Sequence, residues 1–300
     1  MTAKLDAGRG RSSAKAARLY LLLGAALWSS GGFFIKEIDA GALSITFFRC
    51  AFAAAWLLPL VRGRRFPRAT DMAVSVLLFA LLLGLYVGST KETTAANAIF
   101  LQYTAPIYVI AFGPWLLGDK LRSRDAVPLA VCLAGIVVLF GGNQGSGDAT
   151  GLWMGVGSGF FYGLFLLWLR RMRYADPIAI TFANCVGVAL LLAPFPGVWD
   201  VGAGDLGLLA LMGAVQFAVP YVLFTRGLQQ VTGPEASLIA LIEPVLNPIW
   251  VVLFLGEKPT VATLAGGAVI LSGLGLRYAI LRPPREEALD IEAGELAEPT

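Results

Sequence analysis

The side chains able to do chemistry in this 300-residue chain are few, and they stand where charge is costly. Glu243 interrupts the apolar run IALIEPVLNPIWVVLFL, and Arg49 interrupts SITFFRCAF. An ionisable group inside so apolar a stretch is a functional candidate by default, because solvent cannot offset its charge there. Glu243 would either meet a substrate ammonium or carry a coupling proton. The plainer reading makes it a structural carboxyl, protonated or paired with Arg49. Arg49 in turn reads most simply as an anchor for a helix end, its guanidinium snorkelling outward or finding carbonyl or acidic partners. Polar and aromatic residues recur at similar depth in other apolar stretches. Trp28, Tyr86, Tyr103, Tyr162 and Tyr221 could supply stacking walls, and Asn97, Gln102, Gln216 and Asn247 hydrogen bonds to a ligand.

The same inventory excludes much. There is no His, so imidazole proton relays and His-ligated metals are absent. Cys50, Cys132 and Cys185 fall in separate apolar stretches without metal-like spacing and read as inert buried thiols. An enzyme acting within the membrane would need a nucleophile with a base, or a metal cluster, and neither set is present. No cofactor or metal is expected. The glycine-rich segment from Gly141 to Asp148 neither follows a strand nor ends in Gly-Lys-Ser/Thr, so it reads as a linker and not a phosphate loop.

The elements that must position these residues follow from composition. With 57% hydrophobic and 14% charged residues, the chain carries apolar blocks about 20 residues long, the length needed to cross a bilayer core. Ten such blocks fall at approximately 18–38, 42–61, 71–90, 94–117, 125–141, 151–170, 177–198, 205–227, 234–255 and 260–281. Lipid offers no partner to backbone groups, so blocks this long are helices; barrel strands would be shorter and alternating. The expected class is an all-α membrane protein of ten transmembrane helices. The first block has no cleavage site and reads as a retained helix. Lys and Arg accumulate on the cytoplasmic side. With the N-terminus inside, only Lys36, Lys91 and Lys258 fall outside, and every other basic residue but Arg49 lies inside. Both termini are then cytoplasmic. The net charge of +3 reflects topology and implies no nucleic-acid partner.

Sliding the chain by 138 positions places Pro106 on Pro244, Leu117-Gly118 on Leu255-Gly256, Asp119-Lys120 on Glu257-Lys258 and Gly135 on Gly273. Near-equal offsets place Arg49 on Asn184 and Trp28 on Tyr162. One unit is therefore used twice, as residues 18–141 and 151–281, joined by a linker at 142–150. Residues 1–17 form a basic tail read as disordered, and 282–300 an acidic tail. Five helices per unit is an odd number, so the two copies run through the membrane in opposite directions, the arrangement of secondary transporters with a substrate site between repeats. Gly31, Gly32, Pro106, Pro220 and Pro244 are the expected hinges, where a helix can bend or lose a hydrogen bond. Gly151, Gly155, Gly159 and Gly163 make a smooth stripe for close helix packing.

These motifs resemble the drug/metabolite transporter superfamily, in its ten-helix branch with two EamA-type repeats. The likeness is carried by Trp28-Ser29, Phe47-Phe48-Arg49, Pro234-Glu235-Ala236-Ser237-Leu238, Glu243-Pro244, Gly256-Glu257-Lys258 and Gly273. The first-half copy is looser, with Asp119 where the family has Glu. The resemblance implies a central cavity walled mainly by helices 1, 3, 4, 6, 8 and 9, opening alternately to each side, without ATP or bound metal. Among the family, exporters of aromatic and other neutral amino acids are the nearest in kind. The expectation is thus a monomeric carrier of the bacterial inner membrane that exports small organic metabolites, foremost amino acids, by alternating access. The alternative is a proton-coupled exporter of lipophilic cations, with Glu243 as exchange carboxylate in an aromatic cage.

Overall fold

The computed structural model describes residues 2–118, 126–142, 149–229, 231 and 233–280, with the backbone alone for 2–14, 233–234 and 278–280. Among these residues there is no strand, and ten apolar helical spans follow in order. They are α1 (Lys15–Glu37), α2 (Ala42–Leu60), α3 (Ala69–Glu92), α4 (Ala95–Leu117), α5 (Ala126–Gly142), α6 (Ala149–Arg171), α7 (Pro177–Leu192), α8 (Ala203–Leu228), α9 (Glu235–Leu255) and α10 (Val261–Arg277). Seven are long enough to cross a bilayer, while α5, α7 and α10 are shorter. Large apolar side chains such as Trp115, Val137, Leu253 and Val261 stand exposed on the outside, a surface suited to lipid and not to water.

Local chemistry sets several boundaries. Asp176 caps α7, its Oδ1 accepting from the amides of Ile178 and Ala179, with Pro177 at the first helical position, where a missing N–H costs nothing. Gly118 and Gly256 end α4 and α9 with φ of 71° and 68°, a left-handed cap open to glycine at little cost. They occupy equivalent places in the two repeats. Asp119-Lys120, the mate of Glu257-Lys258, lies outside the described residues, as do most of the linker and the acidic tail. The basic tail departs from expectation: it is helical from Thr2, continuous with α1. Adding turns to a helix already nucleated needs only modest propensity, and the Ala, Lys and Arg of this segment supply it.

Polar contacts at the helix ends fix the topology. At one end, rich in arginine, Arg18 bonds Glu235, Arg64 bonds Asp176, and the Tyr174 hydroxyl donates to Asp71. This end gathers the starts of α1, α3, α7 and α9. At the other end, Lys36 pairs with Glu257, Lys91 donates to the Ile38 carbonyl, and Ser89 donates to the carbonyl of Gly151. That end gathers the ends of α1, α3 and α9 with the start of α6. So α1 and its repeat mate α6 begin on opposite faces, and the halves form an inverted pair. Helix contacts obey the same exchange: α3 packs on α6 as α8 packs on α1, and α4 on α6 as α9 on α1. The pairs α2·α7, α4·α9 and α5·α10 are their own mates. At the α5·α10 crossing, a Cβ on Gly135 would lie 2.8 Å from the Gly266 carbonyl oxygen, and one on Gly273 3.1 Å from that of Pro128. Each contact is the image of the other under the 138-residue shift.

Candidate substrate cavity

Four spans are interrupted along their length, and the interruptions surround one volume. α1 breaks at Ser29-Ser30, α4 at Tyr103-Thr104 and α9 at Leu241, while α8 passes through a π-helical stretch at Met212–Ala218. Carbonyls released at such breaks need partners within lipid. Ser29 and Ser30 hydroxyls donate to the Ala26 and Leu27 carbonyls, and the Thr104 hydroxyl to that of Leu101. Of the expected hinges, Gly31 and Gly32 open the second half of α1, and Pro106 is second in the second half of α4, just past the break and not at it. Pro220 follows the π stretch, and Pro244 is third after the break in α9.

Between the repeats lies a cavity of about 530 Å³. It is lined at one end by Leu169, Arg173, Ala175 and Pro177, so it reaches the arginine-rich face. The opposite end is shut. There Lys36 bridges Glu257 (3.1 Å) and the Thr93 carbonyl (2.6 Å), and the other oxygen of Glu257 accepts from the Ala95 amide (2.9 Å).

Eight of the ten residues expected to meet a ligand line this cavity: Trp28, Tyr86, Gln102, Tyr103, Tyr162, Gln216, Tyr221 and Glu243. Trp28 packs edge-on to Tyr221 at 5.0 Å and against Phe224 at 4.9 Å. Gln102 donates to the Ser158 hydroxyl (3.0 Å) and Gln216 to the Trp28 carbonyl (3.3 Å). Glu243 accepts from the Tyr103 hydroxyl at 2.7 Å, with the Ala240 carbonyl a second acceptor at 3.1 Å.

Asn97 and Asn247 do not reach the cavity. Asn97 is fully buried in the shut end, donating to Thr93 and accepting from Thr263, both at 2.8 Å. Asn247, also fully buried, donates to the Tyr86 hydroxyl at 3.3 Å and is covered by Gly32, where a Cβ would sit 2.6 Å from its Oδ1. Both are tied into helix packing where the chain closes.

The walls also differ from the expected six helices, since α2 and α7 contribute Arg49, Ile180, Thr181 and Asn184. Arg49 is 2% exposed, so it does not snorkel. It also makes no ion pair with Glu243. Its carbon Cζ lies 4.9 Å from the Phe217 ring centroid, and its Nε and Nη1 have no hydrogen-bond partner. The glycine stripe of α6 presses on the broken wall of α4: a Cβ on Gly159 would meet the Leu101 carbonyl oxygen and Thr104 Oγ1 at 2.6 Å, and one on Gly163 the Ala105 carbonyl oxygen at 2.7 Å. Small residues there let the backbones touch. Thr181, Asn184 and the phenylalanines Phe79, Phe165 and Phe217 were not distinguished by sequence pattern; for Asn184 the available signal was its register with Arg49.

Comparison with known proteins gives the same architecture a family. The chain matches the EamA-like transporter family twice, over residues 15–141 and 149–278. An uncharacterized transporter of Archaeoglobus fulgidus is 31% identical over 264 residues, 85% of this chain and 93% of that protein. A protein of Streptantibioticus cattleyicolor named as a probable terminal-alkyne amino-acid exporter is 37% identical over 97 residues, 32% of this chain and 33% of its own. A crystal structure of a protein 21% identical in sequence superposes with a TM-score of 0.61, over 90% of this chain and 99% of that one, and so shares the fold. With the repeat found twice and the helices arranged as an inverted pair, this chain is a multi-pass membrane transporter that belongs to the EamA-like transporter family.

Proposed function

We propose that the protein is a secondary exporter of small organic metabolites, foremost amino acids, working by alternating access. The observation that carries this reading is Glu243, held by Tyr103, facing a cavity that reaches one membrane face and is shut at the other. By the positive-inside rule the arginine-rich face is cytoplasmic, so both chain ends are cytoplasmic and the cavity takes its load from inside the cell. A volume of about 530 Å³ lies within the roughly 300–1,000 Å³ typical of small-ligand sites. Aromatic walls suit an apolar side chain, and Glu243 suits an ammonium group or a coupling proton. The amino-acid exporter among the relatives supports the substrate class. The breaks in α1, α4 and α9, with Gly31, Gly32, Pro106, Pro220 and Pro244 beside them or the π stretch, are the points where half-helices would pivot. Asn97 and Asn247, by their packing, serve the shut end and not the substrate.

The test is counterflow in proteoliposomes with L-phenylalanine and L-leucine. Substrate-dependent exchange that falls at least tenfold in Glu243→Gln is expected. An exchange rate indifferent to that change removes the residue's role. Movement of tetraphenylphosphonium without any amino acid would favour a lipophilic-cation exporter, a load that Arg49 in the same cavity disfavours.

A further inference from the structure

Buried polar atoms without partners are uncommon in folded proteins, and each asks for an explanation. Among the described residues seven side-chain atoms are in this state, and five belong to three side chains of the cavity wall: Nε and Nη1 of Arg49, Nδ2 and Oδ1 of Asn184, and Oε1 of Gln216. Arg49, Asn184 and Gln216 are 2%, 1% and 5% exposed. Leaving a guanidinium unpaired in so apolar a surround is costly, and the surround does not relieve it. Phe217 engages the guanidinium through its ring at 4.9 Å. A cation–π contact steadies the charge but forms no hydrogen bond, so the N–H groups stay free to donate. Backbone packing holds this arrangement: Gly213 of α8 approaches α2 so closely that a Cβ there would lie 3.1 Å from the Arg49 carbonyl oxygen. One turn on, Phe217 lies over the guanidinium.

Arg49 and Asn184 are also repeat mates on α2 and α7, a helix pair that is its own image under the repeat exchange. Their neighbours Cys50 and Cys185 are both fully buried in one hydrophobic cluster that spans this crossing. The two unsatisfied side chains therefore line one cavity from two packed helices of opposite halves, where a single ligand can be reached from both. A planar fork of N–H donors matches a carboxylate in geometry as well as charge. The second charge lies elsewhere on the same wall, since Glu243 is held by Tyr103 and is not paired with Arg49. Away from the mouth, where Arg173 stands, the wall carries one cation and one anion held apart, an arrangement electrically balanced for a zwitterion. It is unbalanced for a phosphate dianion or a simple amine.

We propose that Arg49, with Asn184 beside it, is the carboxylate-binding subsite of the cavity, while Glu243 takes the ammonium group of the same substrate. This rests on the reading of the protein as an amino-acid carrier and adds the recognition of the carboxylate to it.

The experiment measures binding to the full-length protein in phosphatidylcholine nanodiscs by scintillation proximity. L-Phenylalanine is the probe, and phenethylamine, which lacks only the carboxylate, is the competitor. Charge-assisted hydrogen bonds predict a preference for phenylalanine of about 10- to 100-fold in the wild type. In Arg49→Gln the preference should collapse to within about twofold, and in Asn184→Ala it should fall roughly three- to tenfold. Arg49→Lys, which keeps the charge but loses the fork, should fall between wild type and Arg49→Gln. Size-exclusion profiles identify any variant that fails to fold, and Asn184→Ala then carries the test. Phenylalanine binding that retains its preference over phenethylamine in folded Arg49→Gln or in Asn184→Ala overturns this subsite and leaves the carrier reading intact. Absence of phenylalanine binding to the wild type overturns both.

Discussion

The shut end of the cavity rests on a small set of polar contacts, and removing one charge should loosen it by a calculable amount. Glu257 takes part in two, the ion pair with Lys36 at 3.1 Å and acceptance from the Ala95 amide at 2.9 Å, and so joins the segment after α9 to α1 and α4. Glu257→Gln keeps a carbonyl oxygen for the amide and removes the charge facing Lys36. The two side chains are 18% and 22% exposed, between the surface limit of about 0–1 kcal/mol for an ion pair and the about 1.5–3 kcal/mol of an enclosed charged hydrogen bond. A cost of roughly 1–1.4 kcal/mol follows, which shifts the ratio of shut to open by about 5- to 10-fold. The assay is labelling of a single cysteine placed at Tyr162 in a protein whose Cys50, Cys132 and Cys185 are replaced. A membrane-impermeant maleimide applied from the side of Lys36 should react about 5- to 10-fold faster in Glu257→Gln. Lys36→Met, which also loses the bond to the Thr93 carbonyl, should raise the rate at least as much, and the double variant should gain little over Lys36→Met, because the ion pair is already lost in either single variant. An unchanged rate in Glu257→Gln, or single effects that simply multiply in the double variant, would refute the argument.

Further consequences are open to equally direct measurement. Gly135→Leu places a side chain where even a Cβ would be 2.7 Å from Ile270 Cγ1. Overpacking of about 2–3 kcal/mol should lower the melting temperature by roughly 5–10 °C in a detergent thermal-shift assay; an unchanged Tm would show that α5 and α10 are not held at that spacing. Tyr103→Phe removes the donor to Glu243 and should raise the half-saturating phenylalanine concentration in counterflow roughly three- to tenfold. It should have no added effect in a Glu243→Gln background, and an equal effect in both would separate the two residues.

Hydropathy was enough to place the ten helices, because a bilayer demands the same length and apolarity from every crossing. The paired Gly118 and Gly256 caps were likewise legible as a repeated motif. What sequence could not supply were facts about neighbours. Pro106 suggested a kink at itself, but proline fits the first turn of a half-helix, so the chain breaks before it, at Tyr103-Thr104. Asn97 and Asn247 looked like ligand contacts because each is a buried amide in an apolar helix. Only packing shows that one faces Thr93 and Thr263 and the other Tyr86 and Gly32. Arg49 looked like an anchor for the same reason in reverse: nothing in α2 alone reveals that α7 packs on it and brings Asn184 to the same cavity. The π stretch of α8 left no trace in composition.

The glycine crossing of α5 and α10 has a mechanical consequence. A contact that is its own image keeps its shape when the two halves trade conformations, whereas a contact such as that of α1 with α9 must be exchanged for its counterpart. If the halves do trade conformations during a cycle, the α5·α10 seam, like the other self-imaged pairs α2·α7 and α4·α9, acts as a bearing, and the contacts with a separate counterpart are the ones made and broken. Stiffening that seam with a crosslink would then leave turnover running, and the same crosslink between α1 and α9 would stop it.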